Sequence, residues 1–363
     1  MQLNLCKPLH ELVQAKYKAA KDTGALMFSP TELTVIQTGE IPFQLRYCPA
    51  LAKKPTQPSS PSNAPPPNPS PTPASQSSPN RKFDPFENPI PALHITNIPA
   101  PRKSSSEKEP IQNDEPSHLL VLNKFPVIPS HFIIATKANR PQTHLLEVAD
   151  LAATYACLRA WDSNGVAGRL YAFFNSGEHS GASQPHRHLQ FLPVESMREG
   201  SEGWETLIDV VMKEVEAISG GANPLKTLPF SHFASSIPPF ATASEIHNIY
   251  LTLHAAAISA VRTYLDDHPE VQSSLALHDS ADGSSPISYN LGMTTSGMVI
   301  CPRRSEDVVL KETGGKEVGT VALNGTILAG TLMVKAVEEW NVLREVEGTG
   351  LEEVLVGVGI PRG

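Results

Sequence analysis

Apolar runs of two different periods follow one another in the middle of the chain. The segments 118–125 (HLLVLNKF) and 131–137 (HFIIATK) are apolar and β-rich, and the turn PVIPS between them predicts a hairpin. Over 143–161 the apolar residues recur every three or four positions, which places them on one stripe of a helix. The segments 169–175 (RLYAFFN) and 186–194 (HRHLQFLPV) predict two more strands, joined by the loop SGEHSGASQP. This order predicts a ββαββ unit, in which a helix covers one face of an antiparallel sheet.

A second block of predicted elements follows this unit. Helices are predicted over 204–218 and 245–265. The segments 287–294 (ISYNLGMT) and 298–302 (MVICP) predict a hairpin that turns at the intervening TSG. A last long helix is predicted over 321–342. The complete pattern predicts an α+β fold with helices packed on an antiparallel sheet.

Two polar segments interrupt the first part of the chain. Residues 55–80 contain ten prolines and seven serines, and with almost no large apolar side chain they cannot offset their ordering entropy by burial. This composition predicts a disordered insertion. Residues 101–116 (PRKSSSEKEPIQNDEP) predict a second flexible segment. The folded body is therefore expected to assemble from pieces on either side of both segments.

Composition excludes several classes of partner. A net charge of −8 provides no basic excess for DNA or RNA, although backbone dipoles can still hold a small anion. Four cysteines without a CxxC pair indicate a reduced compartment. The amino terminus lacks the apolar core of a signal peptide, and the longest apolar run near the end is too short to span a bilayer. We expect no nucleic-acid or membrane partner and a cytoplasmic location, with the nucleus also open.

The candidate chemistry lies in the stretch SGASQPHRHLQF. Because side chains alternate along a strand, His186, His188 and Gln190 are predicted to share one face, while Arg187 points to the other. The preceding loop contains small residues whose amides and hydroxyls can converge on an anion. Its members of this kind are Asn175, Ser176, Gly177, Gly181, Ala182 and Ser183. The combination predicts a phosphate beside an imidazole.

Two chemical interpretations compete for this pair of histidines: metal ligation and attack of one imidazole on phosphorus. A metal site needs a third and a fourth ligand. The next residue on the same face is Gln190, which is a poor zinc ligand but a good donor to a phosphoryl oxygen. The pattern therefore favours phosphoryl or nucleotidyl transfer without a protein-bound metal.

With this stretch the sequence resembles the histidine-triad (HIT) superfamily, and within it the fungal-type diadenosine tetraphosphate phosphorylases, also called ATP adenylyltransferases. The specific motif is SGASQPHRHLQ. Further matching segments are TGALMFSP, LAKKP (51–55), LNKFPVIPSHFIIATK (122–137), NSGEHSGASQPHRHLQ (175–190), LPFSHF (228–233), SYNLGMT (288–294), CPRR (301–304) and LNGTILAGTLMVK. The resemblance implies a HIT-like sheet and phosphorolysis of diadenosine tetraphosphate to ATP and ADP, with ADP-sulfurylase activity in some members.

By this resemblance His188 is the nucleophile that carries AMP, His186 supports it and Gln190 contacts the α-phosphate. The resemblance also assigns substrate and phosphate contacts to Lys54, Asn123, Asn175, Ser176, Gly181, Ser183 and Gln184. Glu178 and His179 depart from the family, which more often has small or neutral residues there. No covalent cofactor is implied, and a divalent cation such as Mg²⁺ is expected with the polyphosphate.

The resemblance also divides the chain. Residues 1–54 are expected to form the first part of the catalytic fold, 81–195 the HIT-like core and 196–363 a C-terminal domain of the ATP adenylyltransferase type. Two sheet blocks that pair internally favour a monomer. A nucleotide-sugar phosphorylase or hexose-1-phosphate nucleotidylyltransferase uses a similar HxHxQ nucleophile and stays open as an alternative. A non-catalytic nucleotide-binding scaffold is a second alternative, disfavoured because binding alone needs no nucleophile.

Overall fold

The computed structural model describes residues 2–53, 84–99, 115–161, 165, 167–217, 228–271, 275–312, 314–345 and 349–362. Lys54, the 55–80 insertion and residues 101–114 lie outside these ranges. The α-helices within them are α1 (Leu9–Asp22), α2 (Val148–Trp161), α3 (Val194–Arg198), α4 (Leu207–Ala217), α5 (Ala243–Asp267), α6 (Val337–Glu345) and α7 (Thr349–Val358). The strands are β1 (Glu32–Thr38), β2 (Ile41–Tyr47), β3 (His94–Ile98), β4 (His118–Leu122), β5 (Phe132–Thr136), β6 (Leu170–Ser176), β7 (His188–Pro193), β8 (Phe233–Ser236), β9 (Tyr289–Met293), β10 (Gly297–Pro302), β11 (Asp307–Lys311), β12 (Glu317–Ala322) and β13 (Thr331–Val334).

An eight-stranded antiparallel sheet forms the centre of the fold, in the order β3-β4-β5-β7-β6-β9-β10-β8. The predicted hairpin β4–β5, helix α2 and strands β6 and β7 are present in that order. The second block continues the same sheet, because β9 pairs with β6. The predicted α+β class and antiparallel sheet are confirmed.

The two faces of this sheet are covered by different layers. On one face α1, α2 and α5 pack over a core in which Phe132 stacks on Phe191 with ring centroids 4.6 Å apart. On the other face lie α4, α7 and a small sheet in which β2 pairs with β1 and, in parallel, with β13. Residues from both ends of the chain therefore meet on the second face. His188 and Gln190 point to this face, since Leu189 and Phe191 belong to the core on the first.

The single helix predicted over 321–342 is wrong, because only the end of this range is α-helical, in α6. Strand β12 ends at Ala322, a 3-10 helix follows at Gly325–Ala329, and β13 and α6 come after it. The Asn324 side chain caps the 3-10 helix by accepting a hydrogen bond from the amide of Thr326. Gly330 then ends it in the left-handed conformation, at φ 74°, which favours glycine. Two glycines and a capping asparagine break the segment in spite of its apolar spacing.

The helix predicted from residue 143 begins later, at Val148. The residues before it make other hydrogen bonds. The main-chain N–H of Gln142 donates to the carbonyl of Pro185, and the main-chain N–H of Leu146 donates to the hydroxyl of Tyr250. The Asp150 carboxylate accepts from the amide of Glu147 at the helix start. Every helix in the described part of the chain is too short or too polar to span a bilayer.

Candidate active site

His188 lies at the start of β7, where β7 separates from β6. It pairs with Ala135 of β5, but on the other side the pairing with β6 begins only at Gln190 and Phe173. The side chain of Gln142 fills the gap. Its Oε1 accepts from the His188 amide at 2.8 Å, and its Nε2 donates to the carbonyls of His188 at 3.2 Å and Asn175 at 2.7 Å. Gln142 thus fixes the main chain that carries the imidazole.

The tautomer of His188 is set by its own strand. Nδ1 lies 2.8 Å from the main-chain carbonyl of His186, and because a carbonyl can only accept, Nδ1 carries the proton. Burial, with His188 only 3 % exposed, lowers the pKa of this imidazole to about 4. At neutral pH the ring is therefore uncharged, and Nε2 presents a lone pair. This is the state that a nucleophilic imidazole requires.

His186 precedes the strand and is held at both ring nitrogens. Nδ1 lies 2.7 Å from a carboxylate oxygen of Asp84, and Nε2 lies 2.7 Å from the carbonyl of Thr136. Burial alone would raise the pKa of Asp84, but hydrogen bonds from the Phe86 amide and from His186 hold it below its usual range. The Thr136 hydroxyl lies 3.1 Å from the same Nε2, so contacts at both ring nitrogens fix the orientation of His186.

Gln190 is oriented by a chain of side chains from the β4–β5 hairpin. The Asn123 Nδ2 donates to His131 Nδ1 at 3.1 Å, so His131 Nε2 carries the proton and donates to Gln190 Oε1 at 2.9 Å. The Asn123 Oδ1 in turn accepts from the amide of Phe125. With its oxygen engaged, the Gln190 carboxamide offers its NH₂ group to a ligand.

The loop after β6 begins at two buried side chains that are hydrogen-bonded to neighbouring segments. Asn175 and Ser176 are buried: the Asn175 Oδ1 accepts from the Gly325 amide at 2.8 Å, and the Ser176 hydroxyl donates to the carbonyl of Gln142. Gly181 has φ 76°, and a Cβ there would lie 2.8 Å from the Cβ of Asn324. In this arrangement Asn175 and Ser176 support the loop. The Glu178 carboxylate lies 3.2 Å from the His179 ring, so the two unusual loop residues pair with each other.

A cavity of about 340 Å³ opens beside Gln190 on the same face. Among the predicted residues, Asn123, Gly181, Ser183 and Gln190 line it. Its apolar walls include Val127, Ile128, Phe173, Leu192 and Met333, and its polar walls include His131, Thr320, Asn324, Thr326, Lys335 and Glu339. A cavity of this size and mixed lining suits one nucleoside. Gln184 is half-buried in the adjoining loop, and Lys54 lies outside the described residues.

The arginines near the site are structural. Arg187 points away from His188, as predicted, and its guanidinium contacts the carboxylates of Asp150 at 2.9 Å and Glu147 at 3.0 Å. Arg303 is 1 % exposed and donates to Asn290 and to main-chain carbonyls, among them Val358 and Leu323. Burial lowers the pKa of Arg303 to about 10. Neither group faces the cavity.

Acid is expected to destabilise the fold through three buried histidines. Burial lowers the pKa of His188, His232 and His254 to about 4, whereas the pKa of a histidine in the unfolded chain is about 6.5. Between these values the unfolded state binds more protons, so the free energy of unfolding falls as the pH falls from about 6.5 to about 4. Thermal unfolding across this range should show a falling Tm, with a shallower fall in His254→Gln. A Tm independent of pH over this window would contradict the assignment.

Comparisons with known proteins identify the family of this chain. A model of the Ap4A phosphorylase N-terminal domain matches residues 106–212, and a model of the ATP adenylyltransferase C-terminal domain matches residues 226–361. Together they span well over half of the chain. The chain belongs to the Ap4A phosphorylase family. It is accordingly a nucleotidyltransferase.

Two relatives from Saccharomyces cerevisiae match most of this family member. Protein APA1 is 26 % identical over 361 residues, which cover 96 % of this chain and 94 % of the relative. Diadenosine 5′,5‴-P1,P4-tetraphosphate phosphorylase 2 is 25 % identical over 313 residues, which cover 83 % and 80 %. The crystal structure of yeast Ap4A phosphorylase Apa2 superposes with a TM-score of 0.70 at 20 % identity over 98 % of this chain and 99 % of that one. This likeness confirms the fold.

Three site residues were not found by sequence reasoning. Asp84 and Phe86 precede the HIT-like motif by about a hundred residues and contact its two histidines. The third is His131, which orients Gln190 and lines the cavity. Its place at the start of β5, antiparallel to β7, was the one available signal.

Proposed function

We propose that this chain phosphorolyses diadenosine tetraphosphate to ATP and ADP through an adenylyl group carried on Nε2 of His188. The observation that carries the proposal is the state of His188. Its proton is fixed on Nδ1 by the carbonyl of His186, its pKa is about 4, and a nucleoside-sized cavity opens beside Gln190, two residues further along the same strand. The names and ligands of the yeast relatives support the same substrate class, since one Apa2 structure contains Ap4A.

In the first step Nε2 of His188 attacks the α-phosphorus of one adenosine. The bond from this phosphorus to the bridging oxygen breaks, the electron pair stays on that oxygen, and ATP leaves. Nδ1–H donates to the carbonyl of His186, which stabilises the positive charge that the ring acquires. The NH₂ group of Gln190 can donate to a phosphoryl oxygen that gains charge.

In the second step an oxygen of inorganic phosphate attacks the same phosphorus. The P–Nε2 bond breaks, its electron pair returns to the ring nitrogen, and ADP is formed. Dividing the transfer into two displacements lets each polyanion leave before the next anion enters. The amides of the loop around Gly181 and Ser183, at the edge of the cavity, are suited to hold these anions.

The cavity beside Gln190 is suited to the adenosine next to the attacked phosphorus. Residues two apart on a strand lie about 7 Å apart, so a nucleotide whose α-phosphorus meets His188 reaches past Gln190 into this space. Val127 and Phe173 would contact the base, and Lys335 would provide a cation for phosphate.

Mg²⁺ is expected to enter bound to the polyphosphate, whose oxygens are its preferred ligands. The pairing of β6 with β9 supports a monomer, because both blocks share one sheet.

Product analysis tests this proposal. The full-length protein is incubated with diadenosine tetraphosphate, ADP-glucose or a GDP-hexose, each with phosphate and Mg²⁺, and the nucleotides are separated. We expect ATP and ADP in equal amounts from diadenosine tetraphosphate and at least about tenfold slower turnover of the sugars. If ADP-glucose were turned over faster than diadenosine tetraphosphate, the protein would instead be a nucleotide-sugar phosphorylase. Sulfate in place of phosphate tests the ADP-sulfurylase side activity. In that case sulfate would take the adenylyl group from His188, and the product would be adenylyl sulfate instead of ADP.

A further inference from the structure

A short segment between the two polar insertions lies against the catalytic histidines. Phe86 is 4 % exposed and packs on the site face of the sheet, against Leu119 and Val121 of β4 and Ala135 of β5. The segment then continues to β3, which pairs with β4 at the edge of the sheet. The chain thus returns to the active site between two segments that were predicted to be flexible.

Asp84 anchors this segment to the site. One carboxylate oxygen contacts His186 Nδ1 at 2.7 Å and accepts from Asn139 Nδ2 at 3.0 Å. The other accepts from the amide of Phe86 at 2.9 Å, which fixes the turn that presents the aromatic ring. Through these contacts the Asp84 carboxylate holds both His186 and Phe86 in place.

The ring of Phe86 touches both histidines. It meets His186 edge-on, with centroids 5.5 Å apart at 89°, and lies tilted over His188, with centroids 5.1 Å apart at 37°. The β4–β5 side of His188 is therefore covered by an aromatic ring, while β6, which leads into the loop, lies on the opposite side of β7. An apolar ring at this position displaces water from the neighbourhood of the imidazole, without offering it a hydrogen bond.

We propose that Asp84 and Phe86 form a cap that determines which acceptor discharges the His188 adenylyl group, by keeping water away from it. This inference rests on the proposed function. If water attacks instead of phosphate, its oxygen bonds to the α-phosphorus, the P–Nε2 bond breaks with its electron pair returning to Nε2, and a proton leaves to solvent. The product is then AMP rather than ADP. Phosphate enters along the loop side and is unaffected by the cap.

The product ratio tests this role, because the ratio of AMP to ADP does not depend on the amount of folded enzyme. Labelled diadenosine tetraphosphate is turned over at several phosphate concentrations by wild type, Phe86→Ala, Phe86→Leu and Asp84→Asn. We expect the AMP share at a given phosphate concentration to rise by about tenfold in Phe86→Ala, to rise less in Asp84→Asn, which releases the anchor, and to stay within about twofold in Phe86→Leu.

Phe240→Ala serves as the matched control, because that phenylalanine is 80 % exposed and lies outside the site. An AMP share equal to that of wild type in an active Phe86→Ala would overturn the inference and leave the proposed function intact. Absence of ATP and ADP in wild type would instead contradict the proposed function. If Phe86→Ala does not fold, Phe86→Val replaces it: a raised AMP share supports the cap, and an unchanged share overturns it.

Discussion

Replacing His188 by alanine is expected to lower kcat/KM for diadenosine tetraphosphate by at least about 10⁴-fold, as removal of a nucleophile does in other covalent mechanisms. Neighbouring groups cannot take over the role. His186 is engaged at both ring nitrogens by Asp84 and Thr136, and Gln190 is not a nucleophile. The fold should be retained, since the substitution removes one short-range hydrogen bond, from Nδ1 to the carbonyl of His186, and the ring contact with Phe86. Steady-state kinetics and a thermal unfolding curve measure both effects.

His144→Ala is the control for this substitution. His144 is a partly exposed histidine that contacts Asp282 at 3.6 Å, away from the cavity. Its removal should change kcat/KM less than about twofold, as is usual for surface substitutions. Retention of more than a few per cent of the wild-type rate in a folded His188→Ala would contradict the nucleophile assignment.

Gln142→Met is expected to cause the largest loss of stability. Methionine matches glutamine in size, but it leaves three buried main-chain groups without partners, namely the amide and carbonyl of His188 and the carbonyl of Asn175. At about 1–3 kcal/mol for each of the three unsatisfied groups, the free energy of unfolding should fall by about 3–9 kcal/mol. Because His188 then shifts, kcat should also fall, by about 10²-fold for a displacement near 1 Å.

Chemical denaturation and kinetics on the same preparation check the Gln142→Met effect. Gln14→Met is the matched control, because Gln14 is exposed in the middle of α1 and methionine is a good helix former. We expect Gln14→Met to leave both quantities unchanged. Unfolding of Gln142→Met at the wild-type denaturant concentration would show that Gln142 does not hold the two strands.

Local patterns were sufficient for the central elements of the fold. The apolar runs at β4, β5, β6 and β7 carry their own signal, and the alternation along β7 places His188 and Gln190 on one face without knowledge of the neighbours. The loop glycines are likewise local signals, since Gly181 adopts φ 76°. A motif whose chemistry is contained in one strand and one loop can therefore be recognised from sequence.

The supporting residues depend on long-range contacts, which have no local pattern. Asp84 reaches His186 across 102 residues, and Gly325 reaches Asn175 across 150. Lys335 enters the cavity wall because β13 pairs with β2, an association between opposite ends of the chain. The segment 321–342 misled the helix prediction for a related reason. Its apolar residues belong to four elements of the layer over the second face, namely a strand, a 3-10 helix, another strand and the start of α6. Their spacing fits one continuous helix only by coincidence.

Detection of the adenylyl group on His188 tests the covalent mechanism itself. Stoichiometric enzyme is mixed with diadenosine tetraphosphate in the absence of phosphate, quenched and digested at alkaline pH, where a bond from phosphorus to an imidazole nitrogen survives. Mass spectrometry should find one adenylyl group on the peptide that contains His188, with one equivalent of ATP released, and phosphate added before the quench should remove the group as ADP. Release of ATP without any adduct, or an adduct on another residue, would contradict nucleophilic catalysis by His188.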